Sequence, residues 1–532
     1  MPKIGKNVLE NLTQGMYEDS RIIYREYIQN AADQIDKALA SDAFPNETLK
    51  IEIDINAKHR RIIIADNANG IPKSEVERRL ADVADSEKIQ GEDKGFRGIG
   101  RLGGLAYCRE LRFVTSYAGE STQTTMIWDA ARLEEILNDQ TNHTGAEEIL
   151  DQIISYRHDP CDASRHFFCI ELIYIKPSND LLLDADKVRE YISEVAPLDF
   201  DERFDTLKHK IDSFLDDHNA AAAPPRDNIH LKNNHYEIFI NGKKIYRPYS
   251  TFIKANTDEV KDVQTDLIRT PDGKIVAWIW FGISCFKGTM RGKNYGGLVG
   301  LRLRQFNIQI GDEHTLDKFF REQRGNGYFI GEVHAVDGGL IPNARRDYFV
   351  ENEALRDFEQ ALQHYIEWNL DKLYRTGSEL NSAFNRINKF FELRNEYDRK
   401  KLEGFTSKKE QETLELELET AKKKAVDSEK KILKIVAQAE QNEQSPLKKM
   451  VRLIQKDRNQ ENYRPILQVE PEYEDEPKKK TRAKLLVDEL SKLKKSERKL
   501  VSLIYDIIRD NMGADISEAL IRNIHAELKA QK

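Results

Sequence analysis

Three short stretches carry residues whose types and spacing could act together on a phosphorylated ligand. In the first, residues 24–33 (YREYIQNAAD), Glu26, Asn30 and Asp33 stand at i, i+4 and i+7, which on a helix is one face. A carboxylate and an amide one turn apart can do two jobs at a phosphate. The amide oxygen can ligate a hard Mg2+ ion, and the carboxylate can take a proton from attacking water. A solvated polar face has the same spacing. In the second stretch, residues 61–72 (RIIIADNANGIP), an apolar strand delivers Asp66 to its end, directly before a turn. A carboxylate there can accept a hydrogen bond from an exocyclic amine such as that of adenine, and the missing side chain at Gly70 lets a ring approach the backbone. A surface Asp-Asn turn is the plainer reading of those letters. The third, residues 94–105 (KGFRGIGRLGGL), places Gly95, Gly98 and Gly100 before an apolar helix. Backbone N–H groups at a helix start bind phosphate, although a glycine-rich stretch alone is equally a flexible loop.

Elements must hold these residues, and the chain is long enough for several domains. At 532 residues one core is too few, and two to four domains are expected. With 33% charged and 39% hydrophobic residues, the composition suits a globular protein with long exposed helices. A net charge of −8 excludes a generally basic coat for DNA and leaves room for a local basic patch. Cys108, Cys161, Cys169 and Cys285 form no C-x-x-C pair, so a disulfide scaffold or zinc site is not expected and reduced thiols are. No signal-peptide or membrane-span run is present, and the expected location is cytoplasmic. Short β-rich runs at 49–55, 61–65, 111–116 and 167–175 among amphipathic helices predict an α+β sandwich over residues 1–215. Residues 216–228 (DDHNAAAAPPRDN) read as a linker. Asn241-Gly242 between HYEIFI and KKIYRPY predicts a hairpin, residues 275–283 a strand, and 354–374 a helix.

Taken in order, E-x-x-x-N-A-x-D on a helix, D-x-x-x-G after a strand and G-x-x-G-x-G before a helix resemble the Bergerat nucleotide fold of the GHKL ATPases. That family includes gyrase, the ninety-kilodalton heat-shock chaperones, histidine kinases, MutL and the MORC proteins. Residues 8–37 look like the chaperones' first two helices, and the resemblance covers roughly the first two hundred residues. It implies ATP and Mg2+ as cofactors, Glu26 as general base, Asn30 as Mg2+ ligand and Asp66 as adenine anchor. Asp33 joins the nucleotide-binding face, Gly70 flanks the adenine, and Gly95, Gly98 and Gly100 cradle the phosphates beside a lid over about residues 71–94. Two positions depart from the pattern. Ala68 replaces the first glycine of D-x-G-x-G, and Phe167-Phe168 stand where a Gly-Thr pair usually supports the adenine.

Residues 230–377 resemble the transducer domain of MutL, gyrase and MORC-like proteins, a split βαβ unit. In those families a basic residue of this domain reaches the γ-phosphate. Residues 339–347 (GLIPNARRD) look like the chaperones' catalytic loop and put Arg346 on that arginine, with Arg345 the near alternative. Arg302 and Arg304 alternate on a strand and are expected to be solvated. Residues 378–532 read as a helical, charged dimerisation or partner region. It is broken by the acidic, proline-bearing run 470–477 and followed by a basic run to Lys499. Leu486, Leu490, Leu493, Leu500, Ile504 and Ile507 form either a short coiled-coil seam or one helix of a bundle. The architecture matches a MORC-like ATP-gated homodimeric clamp on nucleic acid or a protein complex, with no membrane. Analogy at the level of fold extends to prokaryotic defence. The alternative is a heat-shock-90-like chaperone or remodeller of a protein client.

Overall fold

Alternation in RIIIAD does more than mark a strand. It buries Ile62, Ile64 and Asp66 on one face of β2 (Arg61–Asp66), so a carboxylate takes the third apolar position. The computed structural model describes residues 5–6, 8–10, 19–82, 94, 100–221, 231, 233–249, 254–255, 258–290, 298–441, 445–459 and 484–530. Gly95, Gly98, residues 83–93 of the expected lid and the acidic run 470–477 lie outside these residues.

The chain divides into two compact units, Met1–Ser284 with Gly288–Lys372, and Cys285–Lys287 with Leu373–Lys532. In the first unit, an eight-stranded sheet combines β1 (Lys50–Asn56) and β2 with β3 (Cys108–Ser116), β4 (Thr122–Asp129), β5 (Ile154–Pro160), β6 (Phe167–Ile175), β7 (Glu237–Ile240) and β8 (Lys243–Lys244). Their order is β5-β4-β3-β6-β2-β1-β7-β8. Only β1 and β7 pair in parallel. The sheet is covered by α1 (Ile22–Ala40), whose Ile23, Tyr24, Tyr27, Ile28, Ala31, Ala32, Ile35 and Ala38 recur at helical spacing and are all buried. Each large one adds about 1.5–3 kcal/mol through burial. Further helices are α2 (Val76–Ala81), α3 (Ala130–Asn138), α4 (Ala146–Ile153), α5 (Ala185–Val195) and α6 (Asp205–Ala221). The last runs through the first part of the expected linker, since DDHNAA continues the Leu207, Ile211, Leu215 stripe without a breaker. Asn241 and Gly242 have φ of 48° and 72°, the left-handed pair a two-residue hairpin turn needs. That hairpin joins the first sheet through β1.

After a two-residue ribbon, β9 (Lys254–Ala255) with β10 (Asp258–Glu259), comes a five-stranded sheet of order β11-β12-β15-β13-β14. Its strands are β11 (Asp262–Arg269), β12 (Ile275–Ile283), β13 (Gly300–Gln305), β14 (Ile308–Ile310) and β15 (Ile330–Ala335). β13 and β15 are parallel, and β12 is buried along its whole length. The helix expected at 354–374 is α7 (Glu353–Tyr365), continuing through a π-helical turn (Ile366–Asp371) into α8 (Lys372–Glu403).

The expectation for Arg302 and Arg304 is corrected here. Both are buried, and Arg304 bonds Glu332 on the neighbouring β15. Alternating charges mark a solvated face only when no opposite charge waits inside.

The second unit is helical, with α9 (Lys408–Ala439), α10 (Pro446–Asn459), α11 (Lys495–Asn511) and α12 (Ala514–Ala530) following α8. Glu410 at the start of α9 gathers Lys400, the Thr406 N–H and hydroxyl, and Arg509 into one polar knot. The heptad-like series is split. Leu486–Glu489 is a short 3-10 turn, and helix resumes only at Lys495. Val487 and Leu490 pack with Tyr505 and Ile521, whereas Leu500, Leu503, Ile504 and Ile507 are exposed. Among the described residues, no helix is long and apolar enough to cross a membrane.

Candidate nucleotide site

The helix α1 presents Glu26 and Asn30 one turn apart, and Glu26 lies against the start of a 3-10 helix, Gly100–Ala106. A β-carbon on Gly100 would sit 2.5 Å from Glu26 Oε2, so the glycine is what admits the carboxylate. The apolar helix expected here is a 3-10 helix. It is tied to α1 by Tyr27, whose hydroxyl donates to Arg101 O and accepts the Gly104 N–H.

Arg346 reaches the same place from the loop after β15. Its Nε lies 3.3 Å from Glu26 Oε1, and its Nη2 donates to Lys94 O at 2.5 Å. Arg346 holds φ of 56°, a conformation uncommon for a branched or long side chain and concentrated at functional sites. Arg345 takes part through its backbone: its carbonyl accepts from Arg25 Nη2. Of the two arginines, it is the Arg346 side chain that stands beside Glu26.

Asp33 is buried, and its carboxylate accepts the Lys94 N–H at 3.1 Å, with Lys94 Nζ at 3.7 Å. The Lys94 ammonium also bonds Asp36, which accepts from the Tyr236 hydroxyl at 2.7 Å. Asp33 therefore secures the start of the glycine stretch through Lys94. Lys94 was missed from sequence because a lysine before a glycine run carries no burial signal of its own.

At the end of β2, Asp66 Oδ1 accepts the Ala68 N–H at 3.1 Å. Among the described residues Oδ2 accepts no hydrogen bond. Gly70 has φ of 69°, and a β-carbon there would lie 2.1 Å from Ser116 O. The glycine is thus required by the close approach of the turn to β3, a reason beyond the ring contact inferred from sequence.

A family model described as "Histidine kinase-, DNA gyrase B-, and HSP90-like ATPase" matches residues 25–158. The chain carries a GHKL-type ATPase domain. Similarity to curated proteins extends further. "Chaperone protein HtpG" of Salmonella paratyphi A is 22% identical over 409 residues, covering 71% of this chain and 58% of that protein. Proteins of the same name from Buchnera aphidicola (subspecies Schizaphis graminum) and Vesicomyosocius okutanii are 26% identical over 146 residues and 27% over 139, each covering 23% of its own length. The chain thus spans little more than half of the first of these relatives.

Within the GHKL domain, burial pushes the Asp66 carboxyl up to about 7, opposed by the Ala68 N–H. Asp66, Phe168 and Thr115 stand in one cross-strand row of β2, β6 and β3. Phe168 cannot brace the turn by hydrogen bonding. Thr115 does so instead, accepting the Ile71 N–H at 2.7 Å and donating to Phe167 O at 3.1 Å. On the other side, His166 Nδ1 lies 3.1 and 3.0 Å from the Asn67 and Ala68 carbonyls, so that nitrogen carries the hydrogen. Its ring stacks on Phe44 at 3.7 Å. Neither residue sits in a motif, and only the strand register reveals Thr115.

Proposed function

We propose that this chain binds and hydrolyses ATP and couples the cycle to opening and closing of a homodimer. The observation that carries the reading is the convergence of Glu26, on α1, with Arg346, from beyond the second sheet. A general base and a guanidinium that neutralises phosphate charge are thereby held together, which hydrolysis of a γ-phosphate needs. Glu26 accepts the proton of the attacking water. Arg346, acting within its own chain, faces the charge that develops on the phosphate. Asp66 accepts the adenine amine with the carboxylate oxygen that the Ala68 N–H does not engage. The donors fit Mg2+, which favours oxygen ligands and keeps waters and phosphate oxygens in its shell. Asn30 would hold it, and the ion would supply neutralising charge at the phosphates.

Similarity to HtpG extends over 71% of this chain and favours a protein client, as a chaperone or remodeller would have. The basic sequence up to Lys499 supports the second reading, a MORC-like clamp on nucleic acid. ATP turnover measured alone, with an unfolded protein and with DNA separates them: stimulation by unfolded protein alone supports the first, and by DNA alone the second. For the dimer, the exposed Leu500, Leu503, Ile504 and Ile507 row on α11 is the surface we assign to the second copy. Light scattering should report a dimer for the full chain and a monomer for Leu500→Lys/Ile504→Lys. A dimeric variant would remove that face from the assembly.

A further inference from the structure

Beneath the loop that carries Arg346 lies a fully buried charge cluster that has no part in the chemistry above. Glu332 on β15 bonds Arg247 Nη1 at 2.6 Å and Arg304 Nε at 2.6 Å. The Trp280 indole N–H donates to it at 3.1 Å, and His334 Nε2 lies at 3.1 Å. Burial pushes His334 down to about 4, against the pull of Glu332, so the imidazole is neutral. Two guanidinium charges therefore face one carboxylate, and the surplus is solvated by oxygens from elsewhere. Arg304 Nη2 donates to Glu194 O in α5, and Arg247 Nη2 to Leu198 O just beyond it. Arg247 Nη2 also donates to Asn307 Oδ1, and Arg304 Nη1 to Asn307 O. Asn307 lies in the turn between β13 and β14, where its φ is 63°.

That hairpin suspends the Arg346 loop. Gln305 Nε2 donates to Leu340 O at 2.8 Å, and the Gly311 N–H donates to Arg346 O at 2.8 Å. One end of the hairpin is thus locked to α5 through the arginines, while its flanks hold the loop at both ends.

We propose that the buried Arg247–Glu332–Arg304 cluster, with Asn307, is the positioning bracket that sets Arg346 against Glu26. The cluster touches no reacting atom and acts through the β13–β14 hairpin. Its burial suits the role, because five of the six guanidinium nitrogens of Arg247 and Arg304 bond fixed oxygens, Arg247 Nε being the exception among the described residues, and so favour one arrangement. A displacement of about 1 Å in a catalytic group costs up to about a hundredfold in rate. The proposal rests on the reading of Arg346 as the residue facing the γ-phosphate.

The test uses the full chain, with ATP affinity by calorimetry, turnover, and folding by circular dichroism. Glu332→Gln keeps the shape of the side chain and removes its charge. The bracket predicts a fall in kcat of about tenfold with the ATP Kd held within about twofold. In Glu332→Gln/Arg346→Ala, kcat should fall no further than in Arg346→Ala alone, because the bracket acts only through that arginine. Should Glu332→Gln not fold, Asn307→Gly takes its place, since glycine adopts the same φ and leaves the charges intact. Wild-type kcat in the folded bracket variant, with Arg346→Ala impaired, would overturn the bracket. Losses that multiply in the double variant would also overturn it. Wild-type kcat in Arg346→Ala would instead overturn the reading of Arg346 itself, and the bracket with it.

Discussion

Two carboxylates of the first unit are buried to a similar degree and treated in opposite ways. Among the described residues Asp66 has one backbone N–H and no counter-charge, and burial lifts it to about 7. For Glu332 burial pulls in the same direction, but Arg247, Arg304 and His334 outweigh it and hold the carboxyl well below the usual carboxylate range. An acid left without a cation inside a protein is costly to the fold and open to a ligand's donor; an acid between two guanidinium groups is committed to the fold. We read the first as serving recognition and the second as serving position.

Removing each acid should separate them most sharply. Glu332→Ala leaves two buried arginines facing each other and should cost about 3–5 kcal/mol. Asp66→Ala removes an unpaired buried acid and should cost under about 1 kcal/mol at pH 8. Denaturant unfolding followed through the buried Trp278 and Trp280 measures both, and equal losses would break the contrast. In binding the order reverses. Asp66→Asn should weaken ATP about tenfold or more by calorimetry, since half of the acceptor pair becomes a donor.

Acidity gives a smaller effect with opposite signs. The folded value of Asp66, about 7, lies above its usual 3.8, so folding favours its protonated form. Its contribution to stability is complete below about pH 4 and is lost as pH rises towards 7. Glu332, with its value depressed, contributes above its unfolded pKa and loses that contribution as pH falls. Adenosine has no phosphate to titrate, and its affinity should rise severalfold from pH 6 to pH 8 in the wild type while staying flat in Asp66→Asn. A flat wild-type profile would mean that Asp66 does not meet the base. Smallest is Thr115→Val, which removes the hydroxyl joining Ile71 and Phe167 and should weaken ATP by about fivefold.

The same contrast explains what sequence could tell. Asp66 was legible because it ends an apolar alternation, so a charged letter occupied a position the strand had to bury. The Asn241-Gly242 turn and the 275–283 strand were legible for equally local reasons. The bracket was not, because its members lie 28 and 85 residues apart along the chain and become partners only when the strands align. Arg302 and Arg304 therefore read as a solvated face. Thr115 was hidden in the same manner, its role arising from the β2–β6–β3 register that also places Phe168 where a threonine is usual.

Glu26 is proposed to act on water while Asp66 holds the adenine, and a single variant tests this most directly. Glu26→Ala, titrated with ATP by calorimetry and assayed for phosphate release, should bind ATP within about threefold of wild type and turn it over about a thousandfold more slowly, within the range for loss of a general base. Phosphate release at the wild-type rate would contradict the account.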